Sequence, residues 1–332
     1  MQLYAWYYPT QQRLADAEDV RAAFDRLRRM RASGLYLMAP EAEALSEPDP
    51  LRSFLRTARG EGLDAHLGLC PFSDPPGITI DMERRRYRYV DRGETKHRGL
   101  CPAWPENRLL ALNRIRRLME TFEPDALHLD YIRFYFANFA GFGESLEWDT
   151  GRKWLDTYHR CQCPLCESER LALLGREATC WDEQHPGFIY RILEHRHAAI
   201  TGFLRQLNEL RIQTETRLSI AARVQYLNRA LIEGQDWVMW ARQGLVDIIS
   251  PMNYSPRADV VRRRLQESQR LLGQTAVTVL EGLGRQSSAG EPTPEEFARQ
   301  VEAVAATGLA GLAVFHLDHL TDQDCDMLAE HA

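Results

Sequence analysis

The stretch DALHLDYIRF, Asp125 to Phe134, begins as an apolar run and then places an aspartate, a tyrosine and an arginine within four residues. The run is too short for a helix and is bounded by polar residues, the pattern of a buried strand. A buried strand that ends in two opposite charges, Asp130 and Arg133, admits two explanations. The pair is either a satisfied strand-end ion pair or a pair of side chains delivered to a site.

Seven other short apolar runs resemble this one. LYAWYYP, GLYLMAP and AHLGLCP precede it; RLSIAARVQY, VDIISPMNY, AVTVLEGLG and LAVFHLDHL follow it. Between them lie amphipathic stretches of helical period, among them Asp16 to Ala32, Asn107 to Phe122, Arg191 to Arg211, Asp259 to Leu272 and Pro294 to Thr307. Eight strand–helix alternations predict an α/β chain folded as a (β/α)8 TIM barrel, one domain over residues 1–332. The first strand is not followed by the glycine-rich G-x-G-x-x-G of a dinucleotide fold. Two loops exceed what the barrel needs. Asp74 to Gly99, after strand 3, carries a candidate hairpin at RRRYRYVDRG, and a cysteine-containing insertion at about 135–187 follows strand 4. Both are βα loops and belong on the C-terminal face, where barrels keep their sites.

The bulk composition excludes several classes. Of the 332 residues, 44% are hydrophobic, enough for a sizeable core, and the net charge of −6 leaves no basic excess for nucleic acid. No run of about twenty apolar residues predicts a membrane span. The N-terminal MQLYAWYYPT has no leader character and reads as a strand, so a cytoplasmic location is expected. Seven cysteines, three of them in CQCPLC, do not resemble a secreted disulfide framework.

The barrel assignment makes the strand ends testable, because ionisable and hydrogen-bonding residues should gather there. Strand 1 offers Trp6 and Tyr8, strand 4 Asp130 and Arg133, strand 5 Arg223, strand 6 Asn253 and Tyr254, strand 7 Glu281, and strand 8 His316 and Asp318. Each carboxylate alone reads as a helix cap or ion-pair partner. Three converging on one mouth would raise one pKa and leave a proton donor beside a carboxylate, the arrangement that glycoside hydrolysis needs. Asp130 leads, with Glu281 next and Asp318 third. Trp6, Tyr8, Trp104, Tyr131 and Tyr254 are candidate platforms for sugar rings, or else ordinary barrel packing.

Cys161, Cys163, Cys166 and Cys180 give the spacing C-x-C-x2-C-x13-C. Four thiolates would hold a structural zinc without an open position; the alternative is a set of free thiols. Cys70, Cys101 and Cys325 read as small buried apolar residues. Catalysis by carboxyl groups requires no cofactor.

The segment Gly99 to Phe134 resembles the characteristic segment of uncharacterised glycosidase-like TIM-barrel families, hypothetical glycosyl hydrolases of the family-10-like group. Asp125 matches the first acid of their strand motif and Asp130 the second, followed by Tyr131 and Arg133; Ala126 replaces the usual glycine. CQCPLCESER resembles a cysteine cluster that some members carry after that strand. The chitinase-like glutamate two residues beyond the aspartate is absent, since Ile132 stands there. The resemblance implies a barrel acting on carbohydrate, with Asp130 catalytic. The resulting expectation is a glycoside hydrolase in which Asp130, Glu281 and Asp318 supply the carboxyl chemistry. Trp6, Tyr8, Trp104, Tyr131, Arg133, Arg223, Asn253, Tyr254 and His316 would bind substrate. The alternatives are a non-hydrolytic carbohydrate-binding barrel, or a lyase or isomerase acting on an anionic sugar through Arg223 and His316. Glycan identity, anomeric outcome and oligomeric state are not encoded in these motifs.

Overall fold

The structure is a computed structural model that describes residues 1–75, 77–91, 94–134, 161–177 and 186–332. Eight parallel strands close into a barrel: β1 (Gln2–Tyr7), β2 (Gly34–Met38), β3 (Asp64–Leu69), β6 (Ala126–Leu129), β7 (Arg217–Ala222), β8 (Ile248–Pro251), β9 (Thr278–Gly284) and β10 (Gly311–Phe315). These are the eight apolar runs of the sequence. β4 (Arg86–Asp91) and β5 (Glu94–Leu100) form the antiparallel hairpin anticipated after strand 3. The barrel closes where Gln2 to Ala5 of β1 pair with Gly311 to Val314 of β10.

Strand residues alternate between two apolar layers. Leu3, Ala5 and Tyr7 of β1 pack outward under the helices. Tyr4 and Trp6 point inward with Tyr36, Met38, Ala221, Ile248, Leu280 and Ala313. The outer layer is sealed by amphipathic helices whose ends carry the expected signals. Asp16 caps Ala17–Arg29 by accepting from the Glu18 and Asp19 amides, and Thr293 caps Pro294–Ala305, with proline in the first turn. Losing the Thr293 cap would cost about 1 kcal/mol.

The inner layer is partly polar and fully paired through its rings. Indole Nε1–H can only donate, so the Trp6 bond to His128 Nε2 (3.0 Å) makes that nitrogen an acceptor. The His128 proton therefore sits on Nδ1, 2.8 Å from Ser219 Oγ, whose hydroxyl donates a hydrogen bond to Leu127 O at 3.0 Å. Burial, helped by His66, depresses the His128 pKa and keeps this imidazole neutral. Tyr36 stacks on His128 with centroids 3.9 Å apart and bonds Ser250 Oγ at 2.6 Å. Below them, Tyr4 donates to Asp64 at 2.6 Å. This is a satisfied core that forms the floor beneath the C-terminal mouth. Trp6, expected as a sugar platform, is 1% exposed and belongs to this floor.

Among the described residues no helix is long and apolar enough to cross a membrane.

Candidate active site

The turn after β6 carries the chemistry. Asp130 follows the strand directly, and its backbone N–H is held by Leu69 O at 3.0 Å. The next residue, Tyr131, takes a left-handed φ of 53°, unusual for a bulky side chain, and its N–H donates to Asp130 Oδ1 at 2.6 Å. That turn sends the Tyr131 ring outward over the Arg133 guanidinium, 4.2 Å from the ring centroid. The backbone distortion fixes the carboxyl orientation, and such outliers concentrate at functional sites.

Asp130 is only 6% exposed. Its pKa is raised: burial dominates, and Arg133, the Tyr131 amide and Arg223 pull it back only in part. Tyr8 and Tyr254 stand in its field, and burial pushes both phenols well above their ordinary range, so both are neutral hydrogen-bonding groups. Cys70, at the end of β3, feels the same aspartate, and burial likewise holds its thiol protonated. Phe315 and His316 complete the wall: Phe315 packs on Tyr8 and Tyr254, with centroids at 5.8 and 5.3 Å, and His316 on Tyr8 at 5.6 Å.

A residue that sequence reasoning missed ties the arginines together. Glu233 is 3% exposed and lies 3.2 Å from Arg133 Nε and 3.1 Å from Arg223 Nε. It sits beyond the π-helical turn Tyr226–Ala230, away from any strand end, so strand-end logic could not find it. The Phe134 N–H bond to Glu233 O, 2.9 Å, was equally invisible in the sequence.

Three expected catalytic residues do not converge. Glu281 belongs to the outer layer: on β9 its neighbour Gly282 faces Trp6 in the barrel interior, while Glu281 accepts from Asn253 Nδ2 at 2.8 Å. Asn253 in turn donates to Val261 O, in the helix Ala258–Leu272, so both residues lie between sheet and helices. Burial raises the Glu281 pKa to about 8, against partial opposition from Asn253 and Arg264. A perturbed pKa here marks a desolvated core acid, not a catalyst. Asn253 is withdrawn from substrate binding for the same geometric reason. Asp318 is a rim ion-pair partner, held by Arg13 through two bonds of 2.8 and 3.0 Å. Burial works to raise its pKa, but the Arg13 bond and charge prevail and the net shift is downward. Of the three proposed acids, Asp130 alone faces the mouth with Tyr8, Tyr131, Arg133, Arg223, Tyr254 and His316. Trp104 is displaced from the rim and instead donates its indole N–H to Cys163 Sγ at 3.3 Å.

The cysteine cluster also differs from expectation. Cys180 lies outside the described residues. Cys101, Cys161, Cys163 and Cys166 come together instead, all buried, with sulfurs within 4.8 Å of one another. A surface groove lined by Arg56, Arg59, Glu120 and Asp125 opens at the opposite, N-terminal end of the barrel, away from these groups. That face of a barrel serves stability.

No family model and no curated protein matches the sequence. Solved structures do match the fold. The PgaB (BpsB) glycoside hydrolase domain from Bordetella bronchiseptica aligns with a TM-score of 0.71 at 13% identity, over 100% of this chain and 98% of that one. A chitinase from Chromobacterium violaceum aligns at 0.54 and 10% identity over 99% and 98%. The α-galactosidase TtGalA from Thermus thermophilus aligns at 0.53 and 12% over 99% and 61%. At these identities the likeness establishes the (β/α)8 architecture, and the site must carry the functional argument.

Proposed function

We propose that this protein is a glycoside hydrolase in which Asp130 is the proton donor. The observation that carries the proposal is the Asp130 carboxyl group, buried at the C-terminal mouth with its pKa raised by desolvation. A carboxyl group that keeps its proton above the ordinary range can protonate a departing glycosidic oxygen while a water molecule adds to the anomeric carbon and returns a proton to the carboxylate or to solvent. Tyr8 and Tyr254 flank it as neutral hydroxyl groups suited to sugar hydroxyls, and Tyr131 presents an exposed ring at the entrance. Glu233 lies between two guanidinium groups, and its work is to hold Arg133 and Arg223 at the mouth. The full-length alignment with a glycoside hydrolase domain supports the coarser reading, a barrel acting on carbohydrate.

Arg133 and Arg223 stand together at the mouth through Glu233, and Arg229 lies in the field of Arg223. Guanidinium groups recognise carboxylates, so a lyase acting on an anionic sugar is the second reading.

The test is a screen of neutral and acidic oligosaccharides with the wild type, Asp130→Asn and Glu281→Gln. Asp130→Asn is expected to abolish turnover while changing stability by no more than about 1–2 kcal/mol, and Glu281→Gln to retain turnover. Undiminished cleavage by the Asp130 variant would remove the proposed donor, and an unsaturated product would assign a lyase.

A further inference from the structure

We propose that Cys101, Cys161, Cys163 and Cys166 form a structural zinc site that ties the hairpin after β3 to the segment that returns from the loop after β6. Cys101 and Cys166 Sγ are 3.7 Å apart, and all four sulfurs lie within 4.8 Å of one another. Zinc–thiolate bonds of about 2.3 Å in a tetrahedron place sulfurs about 3.8 Å apart. A disulfide requires about 2.05 Å, and these four are free thiols. The chain thus gathers four sulfurs at metal-chelate spacing and not at bonding distance. Four thiol ligands with no water-facing position match a structural site and disfavour a catalytic one.

The surroundings are those of a ligand set held in place. Trp104 Nε1–H points at Cys163 Sγ from 3.3 Å, and the Cys166 backbone N–H donates to the same sulfur; such N–H groups orient and stabilise thiolates. Cys163 precedes the helix Pro164–Leu174, which places Cys166 in its first turn. Cys101 is fixed through its carbonyl, which accepts from Asn107 Nδ2 at 2.9 Å, and through its amide, which donates to Arg85 O at 2.8 Å. Cys161 O accepts from Arg170 at 2.8 Å. Gln162 N–H donates to Arg88 O at 2.8 Å, so the C-x-C step already lies along the hairpin. Metal binding would convert this contact into a cross-link between segments about sixty residues apart in the chain, the kind of loop closure that stabilises most.

The site is independent of the proposed activity. The measurement is elemental analysis of the full chain purified under reducing conditions, together with release of zinc by a mercurial reagent into a chromogenic chelator. About one zinc per chain is expected, lost in Cys101→Ser and retained in Cys325→Ser and Cys180→Ser. If Cys101→Ser does not fold, cobalt exchange into the wild type decides the matter, because tetrahedral thiolate ligation gives intense charge-transfer absorption. Substoichiometric metal with four titratable thiols, iron in place of zinc, or zinc that survives Cys101→Ser and disappears in Cys180→Ser would each overturn the proposal.

Discussion

The balance on Asp130 is set by single residues. Desolvation lifts its pKa, while Arg133 and Arg223 lower it from two directions. Arg223→Gln removes one opposing charge and leaves Glu233 paired with Arg133. The sign follows directly: if protonated Asp130 is the acid, activity disappears as pH rises through its pKa, and loss of a nearby cation raises that pKa further. The alkaline limb of kcat/KM against pH should therefore move upward in Arg223→Gln, even if the plateau falls through poorer substrate positioning. An alkaline limb that stays in place, or moves to lower pH, would detach it from Asp130. At this scale the sequence was partly legible. Asp130, Tyr131 and Arg133 are adjacent in one motif and could be found together. Glu233 could not, because nothing in LIEGQDW marks the one acid whose chain folds back beside Phe134.

At the scale of elements, all eight strands were visible because each is an apolar run bracketed by turn residues. What the runs do not disclose is which side of the sheet each residue takes. A strand buried on both faces is apolar throughout, so it lacks the polar–apolar alternation that would fix its register. Glu281 therefore looked like a strand-end acid, although it lies between β9 and the helix Ala258–Leu272. Its position has a measurable consequence. With a folded-state pKa of about 8 against an ordinary 4.5, the folded chain keeps a proton that the unfolded chain releases. Stability contributed by the neutral form is complete below about pH 4.5 and declines as pH rises to about 8, by roughly 3–5 kcal/mol in total. Glu281→Gln keeps an acceptor for Asn253 and removes the titration. Its Tm should fall less than that of the wild type between pH 5 and 8, with little difference at pH 5. Parallel Tm-against-pH curves for the two proteins would contradict this burial. The cysteine cluster shows the same limit over a longer range: Cys101 is distant in sequence from CQCPLC, and only the hairpin and the start of the helix Pro105–Phe122 bring it there.

For the whole molecule, closure of the barrel is the event on which the site depends, since Tyr8 follows β1 while Phe315 and His316 end the β10 turn. β1 and β10 meet at the N-terminal end through Gln2 and Gly311. A Cβ built on Gly311 would stand 1.9 Å from Gln2 O and 2.7 Å from Gln2 C, both backbone atoms that cannot rotate away. Gly311→Ala must therefore prise the closing strands apart, and overpacking of this kind costs about 1–3 kcal/mol or more. Gly202 supplies the control. It lies within the helix Pro186–Ile212, and a Cβ there meets nothing within 4 Å. Gly202→Ala should stabilise the protein by about 0.5–1 kcal/mol, because glycine loses more backbone freedom than alanine on entering a helix. The two substitutions add the same methyl group and differ only in whether closure has room for it, so their Tm shifts should have opposite signs. If Gly311→Ala lowers Tm, the packing of Tyr8 against Phe315 and His316 should loosen with it, and turnover should fall at temperatures well below the new Tm. A Gly311→Ala protein as stable and active as the wild type would mean that β1 and β10 are not in this register.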